Sequence, residues 1–454
     1  MYSEGNLAMK KVLIIAYYFP PLGWSGVQRT LKFVKYLRKF GWEPVVVTVG
    51  ETKFSILDET LVNEIPKGVQ VIKIDDVKFK HVTDNAKQIL KSYTECISNT
   101  ILDSDLKQKY EEAIEQKISE LRDLLLIPDG NAIWANNVIK SINTKMDLKD
   151  INVIYTTSAP YSSHLIGQHI KEKYNIPWVA DFRDEWINNA DYIIDEETLD
   201  FEIQKYMENT VVEKCDKIIT TTPYASQNFI DRYNLNDKKV YTITNGYDEE
   251  DFYKIKENKK NNKFTIIHNG SCYLNRSPQT FFKAVRNLIE RGFLDKSKIE
   301  IIFVGKNDAK VMEESKIEIE EYNILREVGY CSHNKSLELL TNSHLLLLIL
   351  GSLQKQKSVY PGKVFEYLKI EKPILAISPQ GSVVENLLKE TECGVNIEYN
   401  EIEKIEKIIL NYYNKWISGE DIRTNGKNIN QYERKNLTKR LCKIFNEMDE
   451  YNKR

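Results

Sequence analysis

Ser358-Val359-Tyr360-Pro361-Gly362-Lys363-Val364-Phe365-Glu366-Tyr367-Leu368, running on to Lys372-Pro373-Ile374, is the stretch from which the fold can be read. Immediately upstream, residues 345–350 are an unbroken apolar run closed by Gly351, too short for a membrane span and suited to a buried strand. Residues 373–377 read as the next strand. Between the two, a polar Pro-Gly loop opens a short helix whose first turn carries Lys363 and Glu366, three apart and so on one face. A helix N-terminus at the carboxyl end of a parallel strand favours an anion, because free N–H groups and the helix dipole both attract negative charge. Lys363 adds a cation for phosphate, and Glu366, one turn deeper, can accept hydrogen bonds from sugar hydroxyls. Phosphate plus a sugar diol describes a nucleotide. A solvated Lys–Glu pair is the plainer alternative for the same two residues.

Lys363, Glu366, Tyr367 and Lys372-Pro373 resemble the donor segment of retaining glycosyltransferases with the GT-B fold, glycosyltransferase family 4. That family carries Glu, seven residues, Glu; here the second is Glu366 and the first position holds Ser358. In the family the first Glu touches the transferred sugar and the second the nucleotide ribose. The resemblance implies an α/β architecture of two Rossmann-like, doubly wound parallel-sheet domains facing across a cleft, with a C-terminal helix crossing back to the first domain.

The bulk properties agree with such a protein. At 454 residues the chain exceeds one core, so two domains are expected. A net charge of −2 argues against wholesale nucleic-acid binding. The cysteines Cys96, Cys215, Cys272, Cys331, Cys393 and Cys442 are scattered without a C-x-x-C pair, as expected of free thiols in a reducing cytoplasm. Lys10-Lys11 before residues 12–19 imitates a signal peptide, but Pro20-Pro21-Leu22-Gly23 reads as a loop after a strand. The expected location is cytoplasmic, with at most peripheral contact on the inner face of the membrane.

Residues 12–17 read as a strand, 27–37 as a helix by apolar spacing, and 45–49 as a second strand, one strand–helix–strand unit. Strands at 71–74, 153–156, 178–180, 217–220 and 240–244 and helices over 164–174 and from Pro223 continue the series. Residues 84–126 are charged and helical in pattern and read as an insertion. A second series follows: strands at 265–268 and 299–304 and helices over 280–291 and 336–341. Helices are expected over 401–417 and 420–448. The domain boundaries read from this are 1–248 for the N-terminal, acceptor-binding domain, 249–262 for a lysine- and asparagine-rich linker, 263–425 for the nucleotide-sugar domain and 426–454 for the returning helix.

Other constellations sharpen the expectation. Gly270 ends a strand where a backbone can approach a ligand, and Arg276 can pair bidentately with phosphate, or else cap the helix beginning near Pro278. Gly23 and Gly26 resemble the family's glycine-rich loop facing the donor, though any tight turn uses such glycines. The resemblance adds Gly305 and Tyr330 near the base, and Ser358, Tyr360 and Pro361 on the donor loop. Asp181 and Asp184 sit at the carboxyl end of a strand, and the run 178–186 resembles bacterial cell-surface polysaccharide transferases, which also show a Ser/Pro-rich element ending in His, here residues 158–164. Ser158, His164, Asp181 and Asp184 are therefore the acceptor-side candidates. A buried Arg183–Asp184 ion pair and a structural His164 are the competing readings. Asp103-Ser104-Asp105 spells a metal-binding D-x-D but lacks a preceding strand, so no metal is expected. Arg29, Lys32, Lys35, Arg38 and Lys39 lie away from the apolar stripe of their helix, either solvated or facing an anionic membrane.

The expected function is transfer of a sugar from a nucleotide-diphosphate sugar to a hydroxyl of a glycan or lipid-linked acceptor. Arg276, Lys363, Glu366 and Asp184 would carry it, without cofactor and with retention. A nucleotide-sugar epimerase on the same fold and an inactive nucleotide-sugar-binding protein are the rival readings.

Overall fold

The computed structural model describes residues 9–23, 25–50, 57–76, 126–192, 194–253, 255, 261–273 and 275–452, together with positions 108, 109, 112, 113 and 116. Most of the expected insertion at 84–126, including Asp103 and Asp105, lies outside these residues. The chain divides into two compact units. Unit one comprises 1–219, 230–241 and 442–454; unit two comprises 220–229 and 242–441.

Unit one is built on a seven-stranded sheet. Its strands are β1 Lys10–Ile15, β2 Trp42–Val49, β3 Gln70–Ile74, β4 Ile151–Ser158, β5 Trp178–Phe182, β6 Lys217–Thr220 and β7 Val240–Thr242. They lie in the order β3-β2-β1-β4-β5-β6-β7. The pairs β2–β3, β1–β2, β1–β4 and β4–β5 run parallel. Parallel strands covered on both faces read as continuous apolar runs, which is why β1 and β5 are so plain in the sequence.

Unit two carries six parallel strands: β8 Phe264–Asn269, β9 Ile299–Val304, β10 Leu325–Gly329, β11 Leu345–Ile349, β12 Ile374–Ile377 and β13 Gly394–Ile397. Their order is β10-β9-β8-β11-β12-β13. Alternation along β11 separates two cores. Leu345, Leu347 and Ile349 join Phe281, Phe282, Val285 and Ile409 on one face. Leu346 and Leu348 join Leu337, Val364, Phe365 and Leu368 on the other. The helix Lys363–Ile370 is thereby clamped by its own apolar side, and its polar side is left at the strand ends.

In both sheets the chain reverses direction of growth once, at β1/β4 and at β8/β11. Crevices outside the carboxyl ends of strands at such switch points are where ligands bind in open α/β sheets. One secondary-structure expectation is corrected. The helix expected over 420–448 begins only at Arg434, because Gly419 ends the preceding helix in the left-handed region (φ 75°) and the chain stays non-helical until a short 3-10 turn at Ile429–Tyr432. Part of the expected linker, Glu249–Phe252, is a 3-10 turn capped by Asp248.

The C-terminal helix Arg434–Asn452 belongs with unit one from Cys442 onward. There Phe445 packs edge-on against Trp42 and Tyr155, Asn446 accepts from the Trp42 indole, and Asp449 pairs with Lys10 at 3.0 Å. Five cysteines fall in the described residues and all are free thiols.

The basic first helix departs from its sequence readings at Arg29 and Lys32, while Lys35 and Arg38 are half-buried and Lys39 is exposed. Arg29 and Lys32 are buried; Lys32 pairs with Glu64 at 2.6 Å, Lys35 reaches the same carboxylate, and Arg38 forks onto Glu43. Arg29 and Lys32, with partners inside the fold, are not part of a surface. Among the described residues no helix is long and apolar enough to cross a membrane.

Candidate functional site

The carboxyl ends of β8 and β11 are joined by one side chain. Tyr367, fully buried, accepts from the backbone N–H of Asn269 (2.8 Å) and donates to the carbonyl of Leu347 (3.2 Å). The Asn269 amide in turn donates to Ser336 at 2.7 Å, tying β8 to the helix His333–Thr341. Gly270 donates to Val304, and Gly305 (φ 137°) donates to Gly329. A Cβ on Gly305 would lie 2.4 Å from the Gly270 carbonyl, so the close approach of these strand ends needs glycine there. Gly270 and Gly305, both expected at the donor site, therefore flank the same switch point. Tyr330 follows, half exposed, just after β10.

Onto this floor the helix Lys363–Ile370 presents its polar face. Its N-cap Gly362 offers no side chain, and a Cβ there would meet open space. Lys363 Nζ lies 3.3 Å from Glu366 Oε2, and His333 Nε2 lies 3.0 Å from Glu366 Oε1. The Lys363 side chain keeps 31% of its exposure and Glu366 13%. Burial pushes the Glu366 carboxyl up, but Lys363 and His333 outweigh it and hold the group down at about 2. It is a carboxylate, and only an acceptor, at any ordinary pH.

Arg276 lies on the loop after β8. Its guanidinium sits 4.7 Å from the Tyr273 ring centre and donates to the buried Gln356 at 3.3 Å. Ser358, standing where the family pattern has its first Glu, is buried and donates to the Lys355 carbonyl. Tyr360 packs edge-on against Phe365, with Pro361 beside it at the helix entrance. The structure thus brings Gly270 against Gly305 and Lys363 against Glu366, while Arg276 lies on the loop after β8 and Ser358, Tyr360 and Pro361 on the segment after β11. His333 and Gln356 were missed by sequence reasoning. Ser332, an N-cap just after the flagged Tyr330, was the available signal for His333.

In unit one the expected residues have other surroundings. Asp181 is fully buried; Arg29 donates to both its oxygens at 2.8 Å, and Tyr155 and Thr157 also donate to it. Burial raises its pKa, but Arg29 wins and keeps it below the usual carboxylate range. With its oxygens so engaged and no exposed surface, Asp181 is an internal brace rather than an acceptor contact. His164 is likewise buried on the helix Ser162–Tyr174, its Nδ1 against Thr156 at 2.7 Å, and burial lowers it to about 3. Ser158 is buried at the end of β4, and its hydroxyl has no partner among the described residues.

Asp184 alone of the four stays open, 51% exposed, with Arg183 at 3.2 Å. The buried Arg183–Asp184 pair weighed from the sequence is therefore corrected: the buried pair is Arg29–Asp181. Gly23 is in the loop after β1, but Gly26 falls inside the helix Ser25–Leu37. Arg183 donates to the Gly26 carbonyl, and a Cβ at Gly26 would lie 2.3 Å from that guanidinium. The Arg183 guanidinium fills the space beside this glycine.

No family model matches the chain, and no curated protein matches it. Solved structures do. A glycosyltransferase from Rickettsia africae superposes with a TM-score of 0.60 at 16% identity, over 97% of this chain and 98% of that one. The Anabaena protein HepE, solved with UDP and glucose, gives 0.62 at 12% identity over 96% and 100%. A Listeria monocytogenes protein described as a UDP-N-acetylglucosamine 2-epimerase gives 0.56 at 12% identity over 96% and 95%. The two Rossmann-like parallel-sheet units are those of the GT-B fold.

Proposed function

We propose that the chain is a glycosyltransferase that takes a sugar from a nucleotide-diphosphate donor held in unit two and passes it to a hydroxyl. The observation that carries this reading is the Lys363–Glu366–His333 cluster, an open cation beside a fixed, partly accessible carboxylate at the β8/β11 switch point. Lys363 and Arg276 are suited to the diphosphate, and Glu366 to the ribose diol. The neighbours solved with UDP support the same ligand class on this fold.

In the proposed reaction the bond from the anomeric carbon to the β-phosphate oxygen breaks. The acceptor oxygen bonds to that carbon on the same face, and its proton goes to the departing phosphate. Configuration is retained, and no protein nucleophile is used. Charge building on the leaving diphosphate is met by Lys363, Arg276 and the helix N-terminus at Gly362, groups already oriented before the reaction. These groups make a metal ion unnecessary, so transfer is expected to survive EDTA. Asp184 is the acceptor-side group, and a glycan or lipid-linked saccharide of the cell surface is the proposed acceptor.

Calorimetry with UDP, GDP and ADP tests the donor site, and labelled nucleotide sugars test the chemistry. Absence of binding by all three nucleotides would reject it. An epimerase is the second reading, favoured by the Listeria neighbour. Incubation of a labelled nucleotide sugar without acceptor separates the two: an epimeric nucleotide sugar marks the epimerase, slow release of free sugar the transferase.

A further inference from the structure

Glu366 has two partners of different kinds. Lys363 Nζ approaches Oε2 at 3.3 Å from a flexible stem one turn away, with about a third of its side chain in solvent. His333 Nε2 approaches Oε1 at 3.0 Å from a different helix, with only 14% exposure. The imidazole is itself backed by Asp251, whose Oδ2 lies 3.9 Å from Nδ1, and its helix starts at an N-cap, Ser332, that accepts from Lys335 N. Since Glu366 is an ionised acceptor, the hydrogen between the two must sit on His333 Nε2. A rigid donor holds one oxygen, and a mobile cation rests on the other.

We propose that His333 is the permanent partner that aims Glu366, and Lys363 a temporary one that a nucleoside diphosphate draws away. This deepens the donor-site reading above and rests on it. When a diphosphate enters, Lys363 gains a doubly charged partner and swings off Oε2. The carboxylate would then lose its cationic partner on Oε2, and an unsupported carboxylate could turn to water. His333 prevents the turn, because its ring is fixed by packing and its N–H stays on Oε1. Oε2 is left pointing outward with a free lone pair, and a ribose hydroxyl takes the place of the ammonium. His333 touches no ligand in this scheme. It is a positioning residue whose effect is confined to telling ribose from deoxyribose, whereas Lys363 governs the diphosphate irrespective of the sugar.

The test measures the affinity of UDP, GDP and ADP, then compares the one that binds best with its 2′-deoxy counterpart. It does so for wild type, His333→Ala, His333→Gln and Lys363→Ala. Wild type should favour the ribonucleotide by roughly tenfold, the scale of one hydrogen bond to a charged acceptor. His333→Ala should bring that ratio down to about twofold or less, and His333→Gln, whose amide can donate to Oε1, should restore part of it. Lys363→Ala should weaken both nucleotides about equally and leave the ratio intact. Melting temperature read alongside detects mere loss of packing, which would lower both affinities without altering the ratio. An unchanged ratio in His333→Ala, or no preference in wild type, overturns the role of His333 while leaving the donor site standing. Failure of wild type to bind any of the three nucleotides overturns both.

Discussion

In unit one the charges near the strand ends are used up inside the fold. Asp181 is surrounded by Arg29, Tyr155 and Thr157 with no surface exposed, and Lys32 is spent on Glu64. In unit two the corresponding charges are only half satisfied: Lys363 is loosely paired and partly in solvent, and Glu366 keeps an accessible edge. Both arrangements obey the rule that buried ions need partners. They differ in whether a partner can be exchanged. A sealed pair contributes rigidity, and a loosely held one is available to a ligand. The largest expected effect follows from the sealed side. Asp181→Asn strands the Arg29 charge and should cost on the order of 3–5 kcal/mol in denaturant unfolding. Nucleotide affinity of the protein that remains folded should not change. A small loss of stability with a large loss of nucleotide affinity would invert the comparison.

Lys363→Ala probes the open side. Its removal should weaken nucleoside diphosphate binding by roughly 1.5–3 kcal/mol, the range of a charged hydrogen bond. The melting temperature of the free protein should barely move, because a partly exposed lysine pair contributes at most about 1 kcal/mol. Unchanged affinity in calorimetry would remove Lys363 from the donor site.

A third prediction concerns what the two units share. Burial holds His164 in unit one at about 3 and His268 in unit two at about 4. In the unfolded chain each takes up a proton near pH 6.5, so below that pH the unfolded state binds more protons and stability falls as pH falls. Each should remove about 1.3 kcal/mol at pH 5.5 relative to pH 7. Nitrogen-15 spectra should show both rings neutral at pH 5.5. An imidazolium signal from either would mean that water reaches the ring, and its burial in the fold would be lost.

The strand framework was legible because buried parallel strands announce themselves. Residues 217–220 and 299–304 were read with the bounds the structure gives. The strand Leu325–Gly329 escaped because it is a largely exposed edge with charges at Arg326 and Glu327 and no apolar run. Within the site, Lys363 and Glu366 were readable since their relation is local, three residues on one helix. His333 was not, because its meeting with Glu366 depends on how the helices of unit two pack on the sheet, which no spacing reveals. Asp181 was misjudged for the same reason. Its partner Arg29 is 152 residues away, and a carboxylate at a strand end looks the same in sequence whether it is sealed or free.

The smallest effect on stability is expected at Asp184, where the open and sealed designs meet in one unit. Its neighbour Arg183 is anchored elsewhere, donating to the carbonyls of Gly26 and Ala159, so the guanidinium does not depend on Asp184 for its place. Half of the Asp184 side chain is in solvent, and the 3.2 Å contact joins adjacent residues. Asp184→Asn should therefore change unfolding free energy by less than about 1 kcal/mol. If Asp184 holds an acceptor hydroxyl, the same variant should slow sugar transfer while leaving nucleotide affinity untouched, since a carboxylate accepts more strongly than an amide. Transfer at the wild-type rate would take Asp184 out of the reaction. A loss of several kcal/mol would instead make it a second sealed charge of unit one, and the contrast between the units would then have no exception.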